Sequence, residues 1–77
     1  MKLNRTEAAI LLAIRALDGE ADREGVIREA CESEGLRTET VSKVFDQLED
    51  RMVIEQEGRW YVIASVDAEN ALDGEED

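Results

Sequence analysis

The chain has 77 residues, with 20 Asp and Glu against nine Lys and Arg for a formal net charge of -11, no histidine and one cysteine. This length holds one domain with one small core and excludes an active-site cleft between two domains. The missing histidine excludes Ser-His-Asp and Cys-His catalysis, and the lone Cys31 excludes an internal disulfide, in keeping with a reducing cytoplasm.

Seven of the cations are arginine and only Lys2 and Lys43 are lysine. An acidic, lysine-poor surface resembles the proteins of salt-in halophiles, where salt at 1 M and above screens charges over about 3 Å or less. That resemblance implies a haloarchaeal source; an ordinary acidic protein with a solvating tail is the competing reading. The acidic excess is not the electrostatic footprint of a typical nucleic-acid binder. No apolar run approaches the roughly 20 residues of a membrane span, and Asn4, Arg5 and Glu7 interrupt any signal-peptide pattern. The expectation is a cytoplasmic protein with no membrane association.

Asn4-Arg5-Thr6-Glu7 has capping-box spacing and starts a first helix over 5–18, with Ile10, Ala13, Ile14 and Leu17 on its buried face and Asp18-Gly19 as its stop. Asp22 is a good N-cap for a second helix over 23–34. Its buried stripe is Val26, Ile27, Ala30 and Cys31, Gly35 ends it, and Leu36 packs back. On that stripe Cys31 reads as a small core residue rather than a reactive thiol. Thr38 then caps a third helix over 38–52, whose core stripe is Val41, Val44, Phe45, Leu48 and Met52.

At Val53 the period changes from 3.6 to 2, and Val53–Ile63 reads as a β-hairpin turning at Glu57-Gly58. That turn sets Gln56 opposite Arg59, Glu55 opposite Trp60, Ile54 opposite Tyr61 and Val53 opposite Val62. Ile54, Tyr61 and Ile63 share the core face, and Val53, Trp60 and Val62 face outward. The fold class is therefore α+β, three helices followed by a two-stranded hairpin, over residues 1–66. Residues 67–77 hold six acids and no base, leaving -5 on the body, and are expected to be a mostly disordered tail with at most a helical turn near 67–72.

Apolar surface also appears where the core does not need it. Ala8, Leu12 and Ala16 lie at i, i+4, i+8 on the first helix, away from its buried face, and Trp60 sits on the outer side of the hairpin. This surface is expected either to join two copies as a homodimer or to be covered by Val66, Ala68, Ala71 and Leu72. The carboxylate pairs Glu20/Asp22 and Glu32/Glu34 have no apolar pocket and no convergent third ligand. No enzymatic activity, metal or cofactor is expected.

Thr40-Val41-Ser42-Lys43 followed by Leu48-Glu49, Arg51 and Val53-Ile54-Glu55 resembles the recognition helix and first wing strand of winged helix-turn-helix regulators, including the multiple-antibiotic-resistance type. Arg59–Ile63 resembles the second wing strand, and the likeness covers about residues 4–64. Those families usually have Gly where this chain has Met52, a position that often needs φ > 0. More weakly, Ala21–Ala30 is similar to the C-terminal winged helix of archaeal minichromosome maintenance helicases, a regulatory and protein-contact module.

The resemblance implies a small DNA-binding transcriptional regulator whose third helix enters the major groove of double-stranded DNA. Its core stripe turns Glu39, Lys43, Asp46, Gln47 and Asp50 outward, a face of net charge -2. Base and backbone contact then falls to Ser42, Lys43 and Gln47, with Arg37, Thr38 and Thr40 at the helix start and Arg59 at the wing tip. The alternative is a winged helix kept for protein contact, through Trp60 and the acidic third-helix face.

Overall fold

A computed structural model describes residues 1–74. The order is α1 (Arg5–Ala16), α2 (Arg23–Glu34), α3 (Thr38–Asp50), β1 (Ile54–Glu57), β2 (Trp60–Ile63) and α4 (Val66–Gly74). This is an α+β arrangement of four helices and one antiparallel hairpin, where three helices were expected. The first five elements are compatible with a winged-helix layout. Among the described residues no helix is long and apolar enough to cross a membrane.

Local capping starts α1 and α2 as the sequence implies. Asn4 Oδ1 accepts the Glu7 N–H at 2.8 Å while Glu7 Oε1 accepts the Asn4 N–H at 2.9 Å. Asp22 Oδ1 accepts the Gly25 N–H at 2.9 Å, and Gly35 closes α2 at φ 65, a left-handed conformation that glycine adopts without steric cost. α1 stops at Ala16, two residues short of the expected end. Thr38 is not the cap of α3; Arg37, at φ -80 and ψ 140, takes that place with no side-chain cap bond, and Thr38 is the first helical residue.

α1 packs against α2 and α3 and also against β2 and α4. That double contact explains why Ala9 and Leu11 are buried along with the expected Ile10, Ala13 and Ile14. Val26, Ile27 and Ala30 of α2 and Val41, Phe45 and Leu48 of α3 complete the helical core, with Cys31 and Val44 half-buried at its edge. Phe45 is fully buried and meets the Tyr61 ring edge-on at 4.9 Å between centroids. Such a pair contributes about 1 kcal/mol beyond its buried area.

α3 ends at Asp50, not 52, and Met52 leaves the expected core stripe: it is 74% exposed with φ 62. The left-handed turn there swings the chain out of the helix axis, and Val53 tucks in behind it, its N–H donating to the Leu48 carbonyl at 2.9 Å. Val53 is thus buried at 3% exposure rather than facing outward with Trp60 and Val62. A left-handed non-glycine residue costs about 1–2 kcal/mol, and glycine gives back part of that in unfolded-chain entropy. Met52→Gly should therefore raise stability by about 1 kcal/mol, measured as a shift of the urea midpoint without a change of slope. A lower midpoint would contradict the strain argument.

The hairpin register is Ile54 with Ile63, Glu55 with Val62, Gln56 with Tyr61 and Glu57 with Trp60, so the two-residue loop is Gly58-Arg59 rather than Glu57-Gly58. Gly58 has φ 66 and Arg59 has no positive φ, the sign pattern of a loop that requires glycine first. The expected loop would have put Glu57 in that strained position. Because each partner moves by two residues, the side chains of the two strands keep their faces: Ile54 and Tyr61 are buried and Ile63 packs against the core. The Tyr61 N–H, pointing away from β1, donates to the Ala21 carbonyl at 2.7 Å and ties the hairpin to the α1–α2 connection.

α4 is the element the composition hides. Ser65 Oγ accepts the Ala68 N–H at 3.2 Å, Ala68 is fully buried, and Leu72 packs against the core one turn later. A nine-residue helix is unstable alone, so this packing decides its existence. The disorder expected of the last residues, 75–77, lies outside the described residues.

Candidate nucleic-acid interface

Among the described residues four ion pairs tie different elements together: Arg5 with Glu34 (α1 to α2), Arg15 with Asp73 (α1 to α4), Arg23 with Asp46 (α2 to α3), and Arg51 with Glu7 (α3 end to α1). Most of these side chains are well exposed, so each pair contributes about 0–1 kcal/mol. Their greater consequence is which cations they leave over. Among the described residues Lys2, Arg28, Arg37, Lys43 and Arg59 have no carboxylate within ion-pair distance, and all five are exposed. Four of the five lie on α2, the start and middle of α3, and the hairpin loop.

The structure places the expected contact residues as follows. Arg37, Thr38, Thr40, Lys43 and Gln47 are exposed on α3 or its cap, and Arg59 is exposed in the hairpin loop with its guanidinium 5.6 Å from the centre of the Trp60 ring. Ser42 is half-buried and faces the cleft between α2 and α3, which Arg28, Cys31 and Thr38 also line. The Cys31 Sγ lies 3.8 Å from the Thr38 Oγ1, so the hydroxyl expected to cap α3 is turned toward α2. Arg28 was not among the expected contacts. It lies off the Val26–Ile27–Ala30 core stripe, but only the ion pairing, set by residues far apart in the chain, shows it to be uncommitted.

The outward α3 face holds Glu39, Lys43, Asp46, Gln47 and Asp50, all exposed. Asp46 is neutralised by Arg23, whose Nη2 lies 3.2 Å from both of its carboxylate oxygens and whose guanidinium stands 5.6 Å from the Phe45 ring centre. Glu39 and Asp50 against Lys43 then leave that face at a net charge of -1.

Tyr61, beneath this cluster, holds its proton above the ordinary pKa of 10.0, chiefly because burial penalises the phenolate, with Glu49 and Asp46 adding to the rise and Arg23 opposing it. The folded chain thus binds this proton more tightly than the unfolded chain. Stability from this group is complete below about pH 10 and falls as pH rises through the folded pKa. An absorbance titration of this single tyrosine should place its ionisation above that value, together with the alkaline loss of helical signal. Ionisation at or below it in the folded protein would contradict the burial.

Of the expected partner surface, Ala8 and Leu12 line a groove between α1 and α4, walled by Ala71 and Leu72. Ala16 and the half-buried Trp60 lie outside that groove. Ala68 and Leu72 do pack inward from α4, but Leu12 stays 47% exposed, so the cover is partial. Among the described residues no group of three or more cysteines and carboxylates stands ready to hold a metal ion. No family model, curated protein or solved structure matches the chain.

Proposed function

We propose that this is a winged helix-turn-helix protein that binds double-stranded DNA, with α3 in the major groove, the hairpin as the wing, and transcriptional regulation as the role. One observation carries the reading: the chain commits Arg5, Arg15, Arg23 and Arg51 to its own carboxylates and, among the described residues, leaves Arg28, Arg37, Lys43 and Arg59 uncommitted on α2, on α3 and its cap, and on the wing. In a molecule of net charge -11, unpaired cations on these elements offer the phosphate backbone points of contact. Asp46, the carboxylate in the middle of the α3 face, is neutralised from within, which removes one of the charges that would repel DNA.

In this reading Lys43, Arg37 and Arg59 hold phosphates, with Arg28 added from α2, while Gln47 addresses base edges and the Thr40 hydroxyl serves the backbone; Ser42 and Thr38, turned into the α2–α3 cleft, drop out of the contact set. Selection of binding sites from random duplexes tests it. The wild type should enrich one sequence, and Gln47→Ala should change the preferred base at one position, a discrimination of about 1–3 kcal/mol. Enrichment of no sequence would remove the specific-regulator reading.

The second reading, a winged helix that binds a protein, is favoured by Glu39 and Asp50 on the same exposed face. It calls for a basic partner and predicts no sequence selection at all. Arg59 stacked beside Trp60 makes that tryptophan less available as its anchor.

A further inference from the structure

Among the described residues two arginines stand over aromatic rings, each with its guanidinium carbon 5.6 Å from the ring centre: Arg23 over Phe45 and Arg59 over Trp60. They differ in what else holds them. Arg23 is also clamped by Asp46, its Nη2 lying 3.2 Å from both carboxylate oxygens, so its charge is cancelled within the fold. Arg59 is exposed and has no ion-pair partner among the described residues, although Glu57 closes the same two-residue loop opposite Trp60. Of the five cations without a carboxylate partner, Lys2, Arg28, Arg37, Lys43 and Arg59, it is the one that stands over a ring.

We infer that Trp60 is a positioning residue, which holds Arg59 in place on the wing so that a phosphate meets a guanidinium already set to receive it. This rests on the DNA reading and adds to it a residue that acts through Arg59. An aromatic face attracts a guanidinium without cancelling its charge and without an oxygen that would occupy its N–H donors. A carboxylate in the same place would do both, and a phosphate would have to displace it. An arginine held by nothing keeps its charge but loses rotamer freedom when it binds. The ring avoids both losses. The backbone is prepared in the same way: Gly58, at φ 66, sets the turn, and the Glu57–Trp60 pair closes it directly beside Arg59. Trp60 itself is half-buried, which limits how far its indole can move.

Two measurements on the whole chain test this. In the absence of DNA, the side-chain protons of Arg59 should be shifted upfield in the NMR spectrum by the ring current, keep that shift in Trp60→Tyr and lose it in Trp60→Leu. Binding of labelled genomic-fragment duplexes at about 0.15 M salt should weaken about threefold in Trp60→Leu, the scale of a cation–π contact at an exposed site, and stay near wild type in Trp60→Tyr. In an Arg59→Ala background Trp60→Leu should change nothing further, since the indole acts through that one side chain. Circular dichroism checks that each variant is folded, and the wild-type Arg59 shift keeps the test open if Trp60→Leu is not. Unshifted Arg59 protons, a Trp60→Tyr variant as weak as folded Trp60→Leu, or an equal loss with and without Arg59 would overturn the positioning role while leaving the DNA reading in place. A wild type that binds no duplex would overturn both.

Discussion

Phe45→Ala should remove about half of the protein's stability. Phe45 is fully buried where α3 meets the hairpin, edge-on to Tyr61 and beneath the Arg23 guanidinium. Truncating a buried phenylalanine costs about 3–5 kcal/mol in transfer and cavity terms, against a total stability of about 4–11 kcal/mol for a chain of this size. The Arg23–Asp46 pair would lose the ring it packs over, and Tyr61 its edge contact. Phe45→Leu keeps most of the volume and should cost only about 1–2 kcal/mol. Thermal melts followed by circular dichroism separate the two, and a Phe45→Ala melt within a few degrees of wild type would show that the core lies elsewhere.

The second large effect is that of salt on stability. Each of the four ion pairs contributes little, whereas 20 acids against nine bases repel throughout the surface. Raising KCl from about 0.1 M to about 2 M shortens the screening length from about 10 Å to 3 Å or less. Relief of repulsion should then outweigh the loss of the pairs by about 1–2 kcal/mol, raising Tm by about 5–15 °C. A Tm that stays level or falls would show that the acidic excess does not strain the fold, and would leave the halophile likeness without support.

What was legible in the sequence was local. Asn4 with Glu7, Asp22 and Gly35 act within a few residues of themselves, and those helix starts and stops appear as read. The hairpin's faces survived a mistaken register because a shift of two preserves parity. Met52 and Val53 were misread together: both fit apolar periodicity, and only the positive φ at Met52 reveals that one turns out and the other in. α4 was hidden because its acids mask the two side chains, Ala68 and Leu72, that hold it to the core. The candidate site was half legible. The exposed residues of α3 and the wing follow from the core stripe, but which arginines remain free depends on pairs separated by 23 to 58 positions, and Arg28 emerged only from those.

The central claim is that the unpaired cations of α2, α3 and the wing form a DNA-binding surface. The most direct measurement is the affinity of labelled genomic-fragment duplexes, by fluorescence anisotropy, across a salt series for the wild type and for Arg28→Ala, Lys43→Ala and Arg59→Ala singly and together. The account predicts saturable binding whose logarithm falls linearly with log salt, with a slope that shrinks by about one for each phosphate-contacting cation removed. No saturable binding at any salt, or a triple variant with the wild-type slope, would contradict it.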